Sequence, residues 1–142
     1  MNLWAKLKAK FAGKATPEHL RRGALGERAA KSYLQSAGLK FLASNFRSDH
    51  GEIDLIFRDD DCLCFIEVKT RSSEEWTRPA DAVDARKKTL LSQTALDYLH
   101  LLKNPKVKFR FDIVEVLLRD GTVREVRHLP HAFPLARPYR YA

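Results

Sequence analysis

Residues 51 to 71 read Gly51-Glu-Ile-Asp-Leu-Ile-Phe-Arg-Asp-Asp-Asp-Cys-Leu-Cys-Phe-Ile-Glu-Val-Lys-Thr-Arg71, and this stretch decides the fold. The β-branched and aromatic residues Ile53, Ile56, Phe57, Phe65, Ile66 and Val68 favour extended chain, while Asp59, Asp60 and Asp61 favour a turn between two strands. A β-hairpin is predicted. Side chains alternate across a strand, so Glu67 and Lys69 share one face and Ile66 and Val68 the other. The same rule groups Ile53, Leu55 and Phe57 on the first strand and sends Glu52 and Asp54 to the opposite side. A register that stacks the apolar faces sets even positions against odd ones and brings Asp54 to face Glu67. Their Cβ atoms would lie roughly 5 Å apart if directly opposed and roughly 7 Å if diagonal.

Two carboxylates at that separation repel unless something positive lies between them: a hard cation such as Mg²⁺, or the ammonium of Lys69. Charges on one strand face are commonly just a solvated face. Here, however, both strands are nearly continuous apolar runs apart from these positions. That pattern suits a central sheet covered on both sides, where an isolated charge is costly.

Asp54, followed after a hairpin by Glu67-Val68-Lys69, resembles the D…(D/E)-x-K core of the restriction-endonuclease-like nucleases. Gly51-Glu-Ile-Asp-Leu-Ile and Phe65-Ile-Glu-Val-Lys-Thr-Arg resemble the YraN-like bacterial family, itself similar to archaeal Holliday-junction resolvases. The resemblance covers about residues 21 to 133. Ile53 stands where the superfamily signature often has proline, a position that carries no chemistry. The resemblance implies an α/β restriction-endonuclease-like sandwich with a central mixed sheet flanked by helices. It implies Asp54, Glu67, Lys69 and Glu27 as the catalytic set, with Asp54, Glu67 and Glu27 holding Mg²⁺ or Mn²⁺. Glu27 enters through Gly23-x-x-Gly26-Glu27, which resembles the family's first motif. The implied activity is hydrolysis of phosphodiester bonds in DNA, more than RNA, with branched or junction DNA as candidate substrates and a homodimer as the assembly. The apolar outer positions of a strand at residues 107–118 and the Pro-rich tail are the surfaces nominated for that dimer.

The rest of the chain is consistent with such a protein. Its 142 residues, 44% hydrophobic and 31% charged, suit one globular domain. No apolar run approaches the ~18 residues needed to cross a bilayer and no apolar leader segment follows Met1, so no membrane partner and a cytoplasmic location are expected. Cys62 and Cys64, with no second pair, make neither a disulfide framework nor a zinc site and are read as small core residues. A formal charge of +8 points to a polyanionic partner, because Lys and Arg that meet phosphates release condensed counterions.

Residues 1–15 read as a basic N-terminal extension, 16–133 as the nuclease-like domain and 134–142 as an extended basic-aromatic tail. Thr16-Pro17 is a helix start and Gly38 a stop, giving a helix over 17–37. Its stripe of Leu20, Ala24, Ala30 and Leu34 includes Glu27, and Gly23 and Gly26 allow close approach of a backbone or ligand. Residues 39–43 form a short apolar segment. Residues 72–79 read as a mobile loop, and a second helix is expected from about 80 to 102. Two strands follow, at 107–118 and 122–129, joined at Asp120-Gly121. Asp112 in Arg110-Phe-Asp-Ile-Val bonds either the sheet or the active-site side. Candidate nucleic-acid contacts are Arg71, Arg47, Trp76, Arg86, Lys87 and Lys88, with Lys87 or Lys88 matching a lysine common in the family. The rival is a non-catalytic nucleic-acid- or ribosome-binding module that keeps the fold and its basic surface. A pure binder has no need of paired carboxylates facing an anion.

Overall fold

The computed structural model describes residues 21–72 and 83–141. Helix α1 (Arg21–Ser36) precedes strands β1 (Lys40–Ser48), β2 (Gly51–Asp59) and β3 (Cys62–Ser72). Helix α2 (Ala85–Leu101) then leads to β4 (Lys108–Arg119) and β5 (Thr122–Phe133). The strands form one sheet in the order β1-β2-β3-β4-β5. It is antiparallel except at β3 and β4, whose parallel pairing needs the crossover that α2 supplies.

Among the described residues each sheet face is covered by one helix. On one side α1 packs Ala30 and Leu34 against Leu55, Phe57, Cys64, Ile66, Val114 and Val116. On the other α2 packs Leu91, Ala95, Tyr98 and Leu99 against Ile56, Phe65, Phe111 and Ile113. The result is the expected α/β sandwich with a mixed central sheet. Among the described residues no helix is long and apolar enough to cross a membrane.

Local chemistry explains several boundaries. Gly38 takes φ +95° and ends α1, where its N–H donates to Gln35 O at 3.0 Å and the Leu39 N–H to Leu34 O at 3.1 Å. That pair of bonds satisfies carbonyls the helix end would otherwise orphan. The expected start of α1 at Pro17 and its stripe residue Leu20 lie outside the described residues, as do Trp76 and the basic N-terminal extension. The second helix begins at Ala85, five residues later than the sequence suggests. Asp84 caps it by accepting the Lys87 N–H at 2.8 Å, and Val83 is buried just before the cap, where its apolar character had made it look helical. At the β4–β5 turn Asp120 and Gly121 have φ of 52° and 74°, the left-handed pair that a two-residue hairpin favours.

Other expectations are corrected. The short segment at 39–43 runs, from Lys40 on, into the nine-residue edge strand β1. Strand β5 continues through Pro130 to Phe133, because it is an edge strand with a register shift opposite Phe111 to Ile113, where a missing N–H costs no regular ladder bond. The chain after Phe133 does not extend away. Ala136 N–H donates to Ser92 Oγ at 2.9 Å, Gln93 Nε2 to Tyr139 Oη at 2.6 Å, and Tyr141 stacks edge-on with Phe109 at 5.5 Å. Strand β4 is an interior strand whose apolar positions from Phe111 to Val116 are buried in the two cores, so the surface nominated there for a dimer is core over most of its length.

Candidate active site

Strands β2 and β3 pair with the expected parity: Leu55 with Ile66, Ile56 with Phe65, Phe57 with Cys64. One further step along that register puts Asp54 across from Glu67, and there the backbone ladder stops. The Asp54 carboxylate substitutes for it, Oδ2 accepting the Val68 N–H at 2.7 Å.

The sheet also turns over at this step. Ile53 and Ile56 on β2, and Ala43 and Phe46 on β1, all belong to the α2-side core, whereas Leu55 and Phe57 belong to the α1 side. Strict alternation would keep Ile53 with Leu55 and Phe57, so the common face expected for those three is corrected. The switch coincides with Asn45, between the register pairs Ser44–Leu55 and Phe46–Ile53, with a left-handed φ of 54° that asparagine tolerates better than most residues.

Glu67 is 6% exposed. Its Oε1 lies 3.5 Å from Lys69 Nζ and 3.8 Å from Lys87 Nζ, the latter reaching over from the first turn of α2. Its Oε2 is buried with no hydrogen-bond partner among the described residues. Burial pushes the Asp54 carboxyl well above the usual range, and the Glu67 charge adds to this, while the Val68 N–H pulls the other way. Burial likewise raises Glu67, against the lowering pull of Lys87 and then Lys69.

Glu27 sits at the edge of this cluster. With its amide nitrogen toward the carboxylates, Asn45 donates to Glu52 Oε1 at 3.0 Å and to Glu27 Oε1 at 3.3 Å. Burial and then the Glu52 charge raise the Glu27 pKa, and Glu67 contributes less. Gly26 makes the approach possible: a Cβ there would lie 1.8 Å from Thr70 Oγ1 on β3, so only glycine lets α1 come this close. Gly23 has nothing within 4 Å of a built Cβ, and the close approach expected at both glycines holds at one.

The basic residues divide. Lys87 joins Glu67, whereas Lys88 lies over the Phe133 ring, 5.7 Å from its centroid. Arg86 is exposed on the first turn of α2. Arg47 pairs with Glu52 at 3.3 Å with most of its side chain in solvent. Arg71 pairs with the buried Glu115 of β4 at 3.3 Å. Asp112 bonds the sheet: it is fully buried on the α1 side beside Ile66, accepts from Arg110 Nε at 3.0 Å and His131 N–H at 3.1 Å, and lies 2.8 Å from His128 Nε2. Cys62 and Cys64 are free, and burial raises the Cys64 thiol to about 12, as suits a core residue.

Sequence reasoning missed Asn45, Glu52 as a neighbour of Glu27, and Glu115. Only Glu115 had a readable signal, a single charge inside the apolar run from Ile113 to Leu118. Among the described residues no three His, Cys, Asp or Glu side chains are gathered so as to hold a metal ion. The donors present are the hard carboxylates of Asp54 and Glu67, the latter carrying a buried oxygen without a hydrogen-bond partner among the described residues. That set fits Mg²⁺ or Mn²⁺, since Mg²⁺ characteristically takes one or two carboxylates and fills its remaining positions with water and phosphate oxygens.

A sequence profile described as "Uncharacterised protein family UPF0102" matches residues 26–116, which span the site from Gly26 to Glu115 and Val116. The chain is 41% identical over 115 residues to a UPF0102 protein of Trichlorobacter lovleyi, covering 80% of this chain and 91% of that one. It is 40% identical over 119 residues to one of Syntrophus aciditrophicus, covering 84% and 93%. A third, of Chlorobaculum parvum, is 42% identical over 119 residues, covering 80% and 92%. The chain belongs to the UPF0102 family, the YraN-like family that its hairpin motifs resemble.

Proposed function

We propose that this protein is a metal-dependent endonuclease that hydrolyses phosphodiester bonds in DNA, with branched or junction DNA as the favoured substrate. The observation that carries the reading is the pairing of Asp54 with Glu67, whose Oε1 meets two ammonium groups while its Oε2 is buried without a hydrogen-bond partner among the described residues. Carboxylates raised by burial, and in Asp54 also by the Glu67 charge, cost stability, and that cost is understandable where a cation is to be held.

When bound, Mg²⁺ or Mn²⁺ neutralises these carboxylates and polarises a phosphate oxygen and a water. Lys69 keeps 31% of its side chain in solvent while its Nζ touches Glu67. It orients the attacking water and offsets the charge that grows as phosphorus becomes five-coordinate. Lys87 brings a second ammonium to the same carboxylate from the N-terminal end of α2, whose dipole also favours anions. Arg71 holds a flanking phosphate. The charge of +8 draws a polyanion to this end of the sheet.

A panel of labelled four-way junctions, flaps, single strands and linear duplexes, incubated with Mg²⁺, Mn²⁺ or EDTA, tests the reading. Cleavage with either metal, abolished by EDTA and by Glu67→Gln, is the expected result. Tight binding without cleavage of any substrate would contradict it and leave a nucleic-acid-binding module in its place.

A further inference from the structure

Glu115 is 0% exposed, and its Oε2 lies 3.3 Å from Arg71 Nε. The two are close enough for charge attraction but not aligned as a hydrogen bond, and neither Glu115 oxygen has a hydrogen-bond partner among the described residues. In register Glu115 stands between Lys69 on β3 and Arg127 on β5. This is the α2-side face, because Phe111 and Ile113, four and two residues earlier on β4, belong to the α2-side core. Glu115 thus pairs with Arg71 and has a basic residue at its register position on each flanking strand, beyond the Glu67–Ile113 pair.

Stability does not explain the arrangement. A buried carboxylate without hydrogen bonds is costly, and apolar replacements of buried ion pairs are often neutral or stabilising. Its effect on Arg71 does explain it. Held at Nε, the guanidinium keeps both Nη groups for another acceptor, and among the described residues Arg71 has no partner besides Glu115. The Nη edge of a guanidinium matches the paired oxygens of a phosphodiester.

We propose that Glu115 is a positioning residue for phosphate recognition. It holds Arg71 by its Nε side, so that the Nη edge faces a backbone phosphate next to the scissile one, and the identity of that ligand rests on the nuclease reading. Glu115 does not touch the ligand and acts only through Arg71. The proposal gives an unusual sign. Removing a negative charge beside a polyanion ordinarily strengthens binding, whereas here it releases the arginine and weakens it.

The test is binding of a fluorescent duplex to the full chain in EDTA across a salt series, with melting temperature as the control for folding. Arg71→Ala should weaken binding about fivefold, the worth of one exposed charge contact. It should also lower the slope of log affinity against log salt by about 1. Glu115→Gln should weaken binding and lower the slope comparably, and the double variant should bind no more weakly than Arg71→Ala. Arg71→Lys keeps the charge but has no Nε edge to be held, and should lose as much as Arg71→Ala. A folded Glu115→Gln that binds as tightly as wild type or more so, or losses that add in the double variant, would overturn the proposal. If Glu115→Gln fails to fold, wild-type affinity in Arg71→Lys would overturn it alone, as would a wild type that does not bind DNA. Failure of the nuclease reading shows separately, as no cleavage with metal while the binding pattern in EDTA holds.

Discussion

Asp54 holds its charge where charge is expensive, and the sign of that cost can be worked out. Its pKa in the folded chain is raised, by burial first and by Glu67 second, so the folded state binds protons more tightly than the unfolded one. The protein without metal is therefore favoured below the unfolded pKa, about 4, and loses that contribution as pH rises through the elevated folded value. Glu67 and Glu27 shift the same way. Asp54→Asn in EDTA should raise stability at pH 7 by on the order of 1 kcal/mol, about 4 °C in Tm, with the gain fading toward pH 4. A calorimetric scan showing Asp54→Asn destabilised at pH 7 would remove the strain from the site. Lys69→Ala should abolish cleavage while changing DNA affinity less than about tenfold, because one phosphate contact among several carries little of it. A Lys69→Ala enzyme that cuts at the wild-type rate would take lysine out of the mechanism. At this scale Asp54, Glu67 and Lys69 were legible because a period of two puts them on one face. Asn45 and Glu52 were not, because their roles depend on the face switch between β1 and β2, which no local pattern announces.

Among the elements, α1 owes its place to one glycine. Gly26→Ala would drive a Cβ into Thr70, pushing α1 off β3 and moving Glu27 with it, at a cost of about 1–3 kcal/mol. Gly23→Ala meets open space on the same helix and should be neutral or stabilising by about 0.5–1 kcal/mol. Denaturant unfolding of the two variants checks the contrast, and equal effects would mean that helix propensity alone governs both positions. The hairpin, the Gly38 stop and the Asp120-Gly121 turn were readable since each is set by chemistry within a few residues. The start of α2 was misjudged because Val83 fits the helical stripe while lying ahead of the Asp84 cap. The docking of the tail was unreadable because proline and arginine content cannot show that Tyr139 meets Gln93.

For the whole molecule, the layered architecture followed from the order of helices and strands, but which surfaces stay free did not. With most of β4 buried between β3 and β5, a two-fold dimer of the kind implied by similarity to junction resolvases needs surface beyond that strand. Light scattering is expected to give twice the 16.3 kDa chain mass, and four-way junctions to bind more tightly than linear duplex at matched salt. A monomer indifferent to branching would leave a simpler nuclease. Titrating Mn²⁺ into the full chain by isothermal calorimetry tests the pairing of Asp54 with Glu67 most directly. Saturable binding to the wild type, lost in both Asp54→Ala and Glu67→Ala while each stays folded, is the predicted result; equal Mn²⁺ affinity in all three proteins would contradict it.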